Sequence, residues 1–155
     1  MMNADQLSMF ISILLLLIYF FFFFNPEHFI KLVLSFLFSF LLGLEREIHK
    51  KPAGLRTHIL VGVGTTIFTL ISYEYFGKIG ADPARIAAYI LAGIGFIGGG
   101  AILKEEHKVI GLTTAASLWI TAAIGMAVGI GAYDLALLGT SIALLSLALK
   151  YVEKS

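Results

Sequence analysis

The stretch Ala92-Gly93-Ile94-Gly95-Phe96-Ile97-Gly98-Gly99-Gly100-Ala101-Ile102 lies inside an uncharged apolar run, residues 86–103, that is long enough to cross a bilayer. In water, each Gly replacing Ala in a helix costs about 1 kcal/mol, so Gly93, Gly95, Gly98, Gly99 and Gly100 together would cost roughly 5 kcal/mol. Inside a membrane the balance differs. Helices there gain little by burying apolar side chains against one another, and small residues are favoured because they let two backbones approach. The glycines therefore predict a tight helix-helix seam. A broken helix lining a site is the other membrane reading of such a segment. The literal match of Gly93-x-Gly95-x-x-Gly98 to a dinucleotide fingerprint lacks its context, because no strand precedes it and no acidic residue follows about 20 positions later.

Hydrophobic residues make up 59% of the 155-residue chain and charged residues 14%, and mean hydropathy is +0.93. These values exclude a soluble domain and indicate an all-α, polytopic helical membrane bundle forming a single domain over residues 1–155. With no cysteine, disulfides, thiolate metal sites and cysteine nucleophiles are excluded. The net charge of +1 gives no reason to expect a nucleic-acid partner.

Six apolar segments can be placed, at about 7–24, 29–44, 58–76, 86–103, 110–129 and 133–150. The first has no basic start and no small-residue cleavage site, so it reads as a retained helix rather than a signal peptide. Gly129, Gly131 and Asp134 mark a break between the last two. With six spans, one side holds Arg46, Lys50, Lys51, Arg56, Lys104, Lys108, Lys150 and Lys154, and the other only Lys31, Lys78 and Arg85. By the positive-inside rule both termini are then cytoplasmic. Fusing the last two segments would even the split to six against five, so the charge distribution favours six. Lys31, just inside its segment, is expected to snorkel outward.

Segment five carries a second small-residue stripe, Ser117, Thr121, Gly125 and Gly129, and segment four offers Ala88, Ala92, Gly95 and Gly99 on one face. The expectation is that these two faces pack on each other. Segment six has a narrow stripe of Ala136, Gly139 or Thr140, Ala143 and Ser146 or Leu147, which would permit a homodimer with segments four to six nearest the interface.

Polar clusters stand at the segment ends. One runs through Gly43-Leu44-Glu45-Arg46-Glu47 to Ala53-Gly54-Leu55-Arg56-Thr57-His58, another is Asp82-Pro83-Ala84-Arg85, and the third is Gly111-Leu112-Thr113-Thr114-Ala115-Ala116-Ser117-Leu118-Trp119. Glu45 and Arg46 either sit among headgroups as topology determinants or face a protected cavity in which Glu45 pairs with Arg56. Asp82 and Pro83 suit the start of a helix. Thr113, Thr114 and Ser117 can bond to their own helix carbonyls or across to segment four, and Trp119 suits packing or an interfacial belt. Glu45 and His49 share a helix face, but no dense ligand set accompanies them, so no metal site is expected and the histidines read as interfacial. No catalytic triad, phosphate loop or carboxylate pair is present, so no enzymatic activity and no cofactor are expected.

From about residue 42 to 151 the chain resembles the MgtC/SapB family of bacterial inner-membrane proteins. The likeness rests on Gly43-x-Glu45-Arg46-Glu47, Ala53-Gly54-Leu55-Arg56-Thr57, Arg85-Ile86-Ala87-Ala88, Gly93-Ile94-Gly95-Phe96 and Gly111-Leu112-x-Thr114-Ala115-Ala116-x-Leu118-Trp119, in family order and spacing. The resemblance marks Gly43, Glu45, Arg46, Gly54, Arg56, Thr57, Asp82, Arg85, Gly93, Gly95, Gly98, Gly99, Thr113, Thr114 and Trp119 as motif positions. Tyr89 stands where many relatives carry Gln, and Gly99 where Ala is usual. Segment one lies outside the resemblance as an added N-terminal helix, and longer relatives carry a C-terminal soluble domain not seen here. The resemblance implies adaptation to low magnesium or survival inside host cells, through binding to other membrane proteins, the ATP synthase among the family's partners. A cation transporter or channel, magnesium-related, is the alternative.

Overall fold

The computed structural model describes residues 11–13, 15, 25–106 and 108–149. The chain divides into two compact units, 1–30 and 31–155. In the first, residues 11–13 and 15 are helical; the rest of segment 7–24 lies outside the described residues. Asn25 opens the first long helix, its Oδ1 accepting the N–H of Glu27 at 2.9 Å, with Pro26 at the first helical position.

Five helices follow: α1 (Pro26–Ile48), α2 (Leu55–Leu70), α3 (Ala84–Gly100), α4 (Leu112–Ile130) and α5 (Tyr133–Ala148). Helix α1 runs past the expected end at residue 44, so Glu45 and Arg46 lie on its last turn. It stops where Lys50 adopts the left-handed conformation (φ 51°) and Pro52 forbids continuation. Helix α2 continues through a wide π turn at Ile71–Phe76 and a 3₁₀ turn at Gly77–Ile79. A short hairpin, β1 (Leu103–Lys104) against β2 (Val109–Ile110), joins α3 to α4. Gly111 (φ 89°) turns the chain from β2 into α4 at a point where a Cβ would run into the Ala101 carbonyl. The break between the last two segments is real: Gly131 (φ 85°) ends α4, with Ala132 N–H donating to Ala127 O at 2.8 Å.

Among the described residues, three stretches, Pro26–Ile48, Leu55–Ile79 and Leu112–Ile130, are long and apolar enough to cross a membrane, and α3 and α5 are shorter apolar helices. The protein is a helical membrane bundle.

Within residues 31–155, α4 is the most enclosed helix, packing on α2, α3 and α5, and α2 lies between it and α1. Ser39 meets Gly62 and Ser35 meets Thr66, so α1 and α2 are antiparallel; His58 meets Ser117, Thr66 meets Gly125 and Thr69 meets Gly129, so α2 and α4 run parallel. A helix that must lie close to two neighbours without an aqueous driving force needs small residues where they meet it. Gly62, Thr65, Thr66 and Thr69 supply them along one stripe, buried together with His58, and Gly62 and Thr66 each meet both α1 and α4.

Two expectations fall here. The stripe Ser117, Thr121, Gly125 and Gly129 packs on α2, not on segment four: a Cβ at Gly125 would lie 2.5 Å from Gly62 O, and one at Gly129 2.6 Å from Thr69 Cβ. Helix α3 reaches α4 through Gly98, whose Cβ would stand 3.5 Å from that of Ala115. The segment-six stripe also packs internally. Ala136, Ala143 and Leu147 join Leu42, Ile124 and Val128 in the apolar core, and a Cβ at Gly139 would face Ile124, so this stripe is spent within one bundle and not free for a dimer.

Candidate functional site

The basic end of α1 and the start of α2 form a clasp. A Cβ at Gly43 would lie 2.8 Å from Leu55 Cα, which is why the two backbones can approach there only with glycine. Glu47 reaches eight residues ahead and its Oε2 accepts the N–H of Leu55 at 3.0 Å, satisfying one of the orphan donors at the start of α2. Gly54 lies directly beneath that carboxylate, where any Cβ would collide with Glu47 Oε2. Gly43 is thus a steric requirement of the junction, set by backbone, whereas at Gly54 an added Cβ displaces only the end of the Glu47 side chain and with it the bond to Leu55 N–H.

Glu45 does not pair with Arg56. Its carboxylate meets the guanidinium of Arg46 at 3.3 Å and His49 Nδ1 at 2.8 Å, because the helix continues and keeps i and i+4 on one face. Arg56 is exposed and has no ion pair among the described residues. Arg46 is only 3% exposed, and its Nε is buried without a hydrogen-bond partner among the described residues. Lys31 is likewise buried, at 5%, rather than snorkelling outward, because it shares the inward face of α1 with Ser35, Ser39, Leu42 and Arg46.

His58 departs furthest from expectation, being fully enclosed rather than interfacial. Its Nδ1–H donates to the Gly54 carbonyl at 2.9 Å, and Nε2 stands 3.1 Å from Ser117 Oγ. Since a carbonyl can only accept, this fixes the Nδ1–H tautomer of the neutral ring and turns the Nε2 lone pair toward the serine hydroxyl. Ser117 crosses to α2, not to segment four, and its single hydroxyl proton is shared between His58 Nε2 and Thr114 O, which lies 2.8 Å away. Further along, Thr66 Oγ1 lies 2.8 Å from Ser35 Oγ and 2.8 Å from Gly125 O, tying three helices at one atom. The remaining buried hydroxyls of Thr65, Thr69, Thr121 and Thr140 close onto the carbonyl four residues back, so the polar seam is largely self-satisfied.

Of the other motif residues, Thr114 is buried, Thr113 is exposed and Trp119 is half-exposed. Asp82 Oδ1 accepts the N–H of Ala84, the first residue of α3, at 2.9 Å, and Arg85 is exposed. Along α3, Ile94 and Gly98 are buried. Among the described residues, nothing lies within 4 Å of a Cβ built at Gly93, Gly95 or Gly99. These three divide between two sides. Ala88, Ala92, Gly95 and Gly99 form an exposed small-residue stripe. Gly93 instead lines a groove of about 1190 Å³ between α2 and α3, which also takes in Arg56, Thr57, Gly64 and Tyr89. The described residues contain no cluster of three or more His, Asp or Glu fit to hold a metal ion.

Glu47, His58, Ser117 and Thr66 escaped the sequence reading as site residues. A signal for two of them existed: His58, Gly62, Thr65 or Thr66, and Thr69 recur at helical spacing on segment three, as Ser35, Ser39, Leu42 and Arg46 do on segment two.

These features define a multi-pass helical membrane protein whose interior is closed by glycines and hydroxylated residues. A family model described as the MgtC family matches residues 32–154. The chain belongs to that family. Its relatives include YhiD of Escherichia coli K12, named as a candidate magnesium transporter, which is 44% identical over 127 residues covering 78% of this chain and 59% of the relative. MgtC of Salmonella typhimurium 14028s is 42% identical over 117 residues, 76% of this chain and 49% of the relative. SapB of Bacillus subtilis 168 is 40% identical over 116 residues, 70% of this chain and 50% of the relative. The chain spans about half the length of these curated relatives. No solved structure gives a significant match.

Proposed function

We propose that this protein acts without enzymatic activity in the bacterial cytoplasmic membrane, binding other membrane proteins through the outer stripe of α3 and so modulating them in adaptation to low magnesium or intracellular survival. The observation carrying this reading is the face formed by Ala88, Ala92, Gly95 and Gly99, exposed and with nothing among the described residues within 4 Å of a Cβ at either glycine. Small residues weaken a helix unless a second backbone uses the space they leave. The relatives named for magnesium support the physiological setting, and the ATP synthase or a second copy of the chain are partners of the right kind.

A magnesium-related transporter is the second reading, favoured by the name of the Escherichia coli relative. Against it, the buried hydroxyls of Thr65, Thr66, Thr69, Thr121 and Thr140 are bonded to helix carbonyls of the bundle rather than turned toward a path for an ion. The test pairs two measurements on the full chain. A photo-crosslinker at Gly95 or Gly99 in native membranes should capture a defined membrane protein that one at Gly64 does not, and Gly95→Leu should abolish capture without lowering thermal stability. Equal capture from all three positions refutes the docking face. Magnesium flux into sealed vesicles by the purified wild type establishes the transporter instead.

A further inference from the structure

We infer that the groove between α2 and α3 is a binding site for one anionic phospholipid, its headgroup held at Arg56 and an acyl chain lying between the helices. The groove is separate from the outer stripe of α3 and the inference does not depend on that stripe's role. Its walls are apolar, with Leu60, Phe68, Ile86, Ile90 and Ile97 among them, and its floor is opened by Gly64 and Gly93, where a Cβ would meet nothing within 4 Å. Leu60, Tyr89 and Phe96 line it yet are 74%, 72% and 86% exposed, so the groove opens sideways.

Its length selects the occupant. On α2 the lining runs from Arg56 to Phe68, which at 1.5 Å per residue is about 18 Å. That matches one leaflet of a hydrocarbon core roughly 30 Å thick, whereas a transmembrane helix of a partner would need the whole thickness. The charge selects the headgroup. Arg56 stands at one mouth, exposed, one residue after the start of α2, where the positive end of the helix dipole adds to its own charge. Glu47 caps the same helix start through Leu55 N–H and offsets part of that dipole, but it makes no ion pair with Arg56 among the described residues, which leaves the guanidinium itself to meet the headgroup. The basic residues Lys50, Lys51 and Arg56 place this mouth on the cytoplasmic side by the positive-inside rule, where anionic lipid lies.

The test uses the full chain in mild detergent with equimolar phosphatidylglycerol and phosphatidylcholine of identical acyl chains, and native mass spectrometry to count retained lipid. One basic side chain near the surface contributes about 1 kcal/mol, so the wild type should retain phosphatidylglycerol about fivefold over phosphatidylcholine. Arg56→Gln should bring that ratio close to one, and Arg56→Lys should keep most of it. Gly93→Leu, and separately Gly64→Leu from the opposite wall, should lower retention of both lipids while leaving helicity and thermal midpoint unchanged. Equal retention of the two lipids by the wild type overturns the inference, as does a preference that survives Arg56→Gln. Retention unaffected by both leucine variants overturns it too. A dimer that falls to monomer on Gly93→Leu with no change in lipid assigns the groove to a second copy of the chain and equally refutes the lipid.

Discussion

Replacing Gly125 with Ala tests the packing of the bundle at its tightest point. The added Cβ would lie 2.5 Å from Gly62 O and 3.1 Å from Thr65 Cβ, where ordinary contact begins at 3.4 Å, so α2 and α4 must part by about 1 Å. Both near neighbours belong to a helix that is itself held by α1, so no flexible side-chain end can yield instead. Overpacking of this kind costs about 1–3 kcal/mol. The same movement stretches the 2.8 Å bond from Thr66 Oγ1 to Gly125 O beyond useful range, and an interhelical hydrogen bond in a membrane protein is worth about 0.6 kcal/mol. Gly125→Ala should therefore destabilise by about 2–4 kcal/mol. The control is Gly93→Ala, where nothing lies within 4 Å and the better helix propensity of Ala works in its favour. Reversible unfolding in mixed micelles titrated with sodium dodecyl sulfate, followed by far-ultraviolet circular dichroism, reads both. If Gly93→Ala loses as much stability as Gly125→Ala, or more, the seam runs along α3 and the packing described above is wrong.

Three further outcomes follow from the same geometry. Glu47→Ala should cost about 1 kcal/mol through loss of the cap on α2, and Gly54→Ala should cost a similar amount by displacing the same carboxylate. The double variant should then be no worse than either single one, and additive losses in a double-mutant cycle would refute the shared mechanism. His58→Ala and Ser117→Ala should couple by about 0.6 kcal/mol and at most about 1.7 kcal/mol, as expected for one buried interhelical bond; independent effects would remove that bond. In a chain without native cysteine, Gly98→Cys with Ala115→Cys should form an intramolecular disulfide under mild oxidation, because the Cβ atoms stand 3.5 Å apart. Cysteines at Gly95 and Gly125 should not join within one chain, since Gly125 faces Gly62; efficient intramolecular joining would restore the α3–α4 stripe contact.

Membrane embedding, the helical class, the separation of the last two segments and the family were legible in the residue order alone. Each is a local property. Hydropathy over about 20 residues reports a span whatever lies beside it, Gly131 ends a helix through its own backbone, and the run from Gly43 to Glu47 has its spacing without any neighbour. What remained hidden was partner choice. Segments three, four, five and six each present small residues at helical spacing, and a stripe of that kind states that a backbone can come close without stating which one. Only the tertiary structure matched Gly125 to Gly62 and Gly129 to Thr69, enclosed His58, kept Glu45 apart from Arg56, and left Gly95 and Gly99 uncovered among the described residues. The physical reason is that α1 and α4 both close on the one small-residue stripe of α2, so the glycine-rich α3 meets α4 through Gly98 and, among the described residues, leaves Gly95 and Gly99 uncovered.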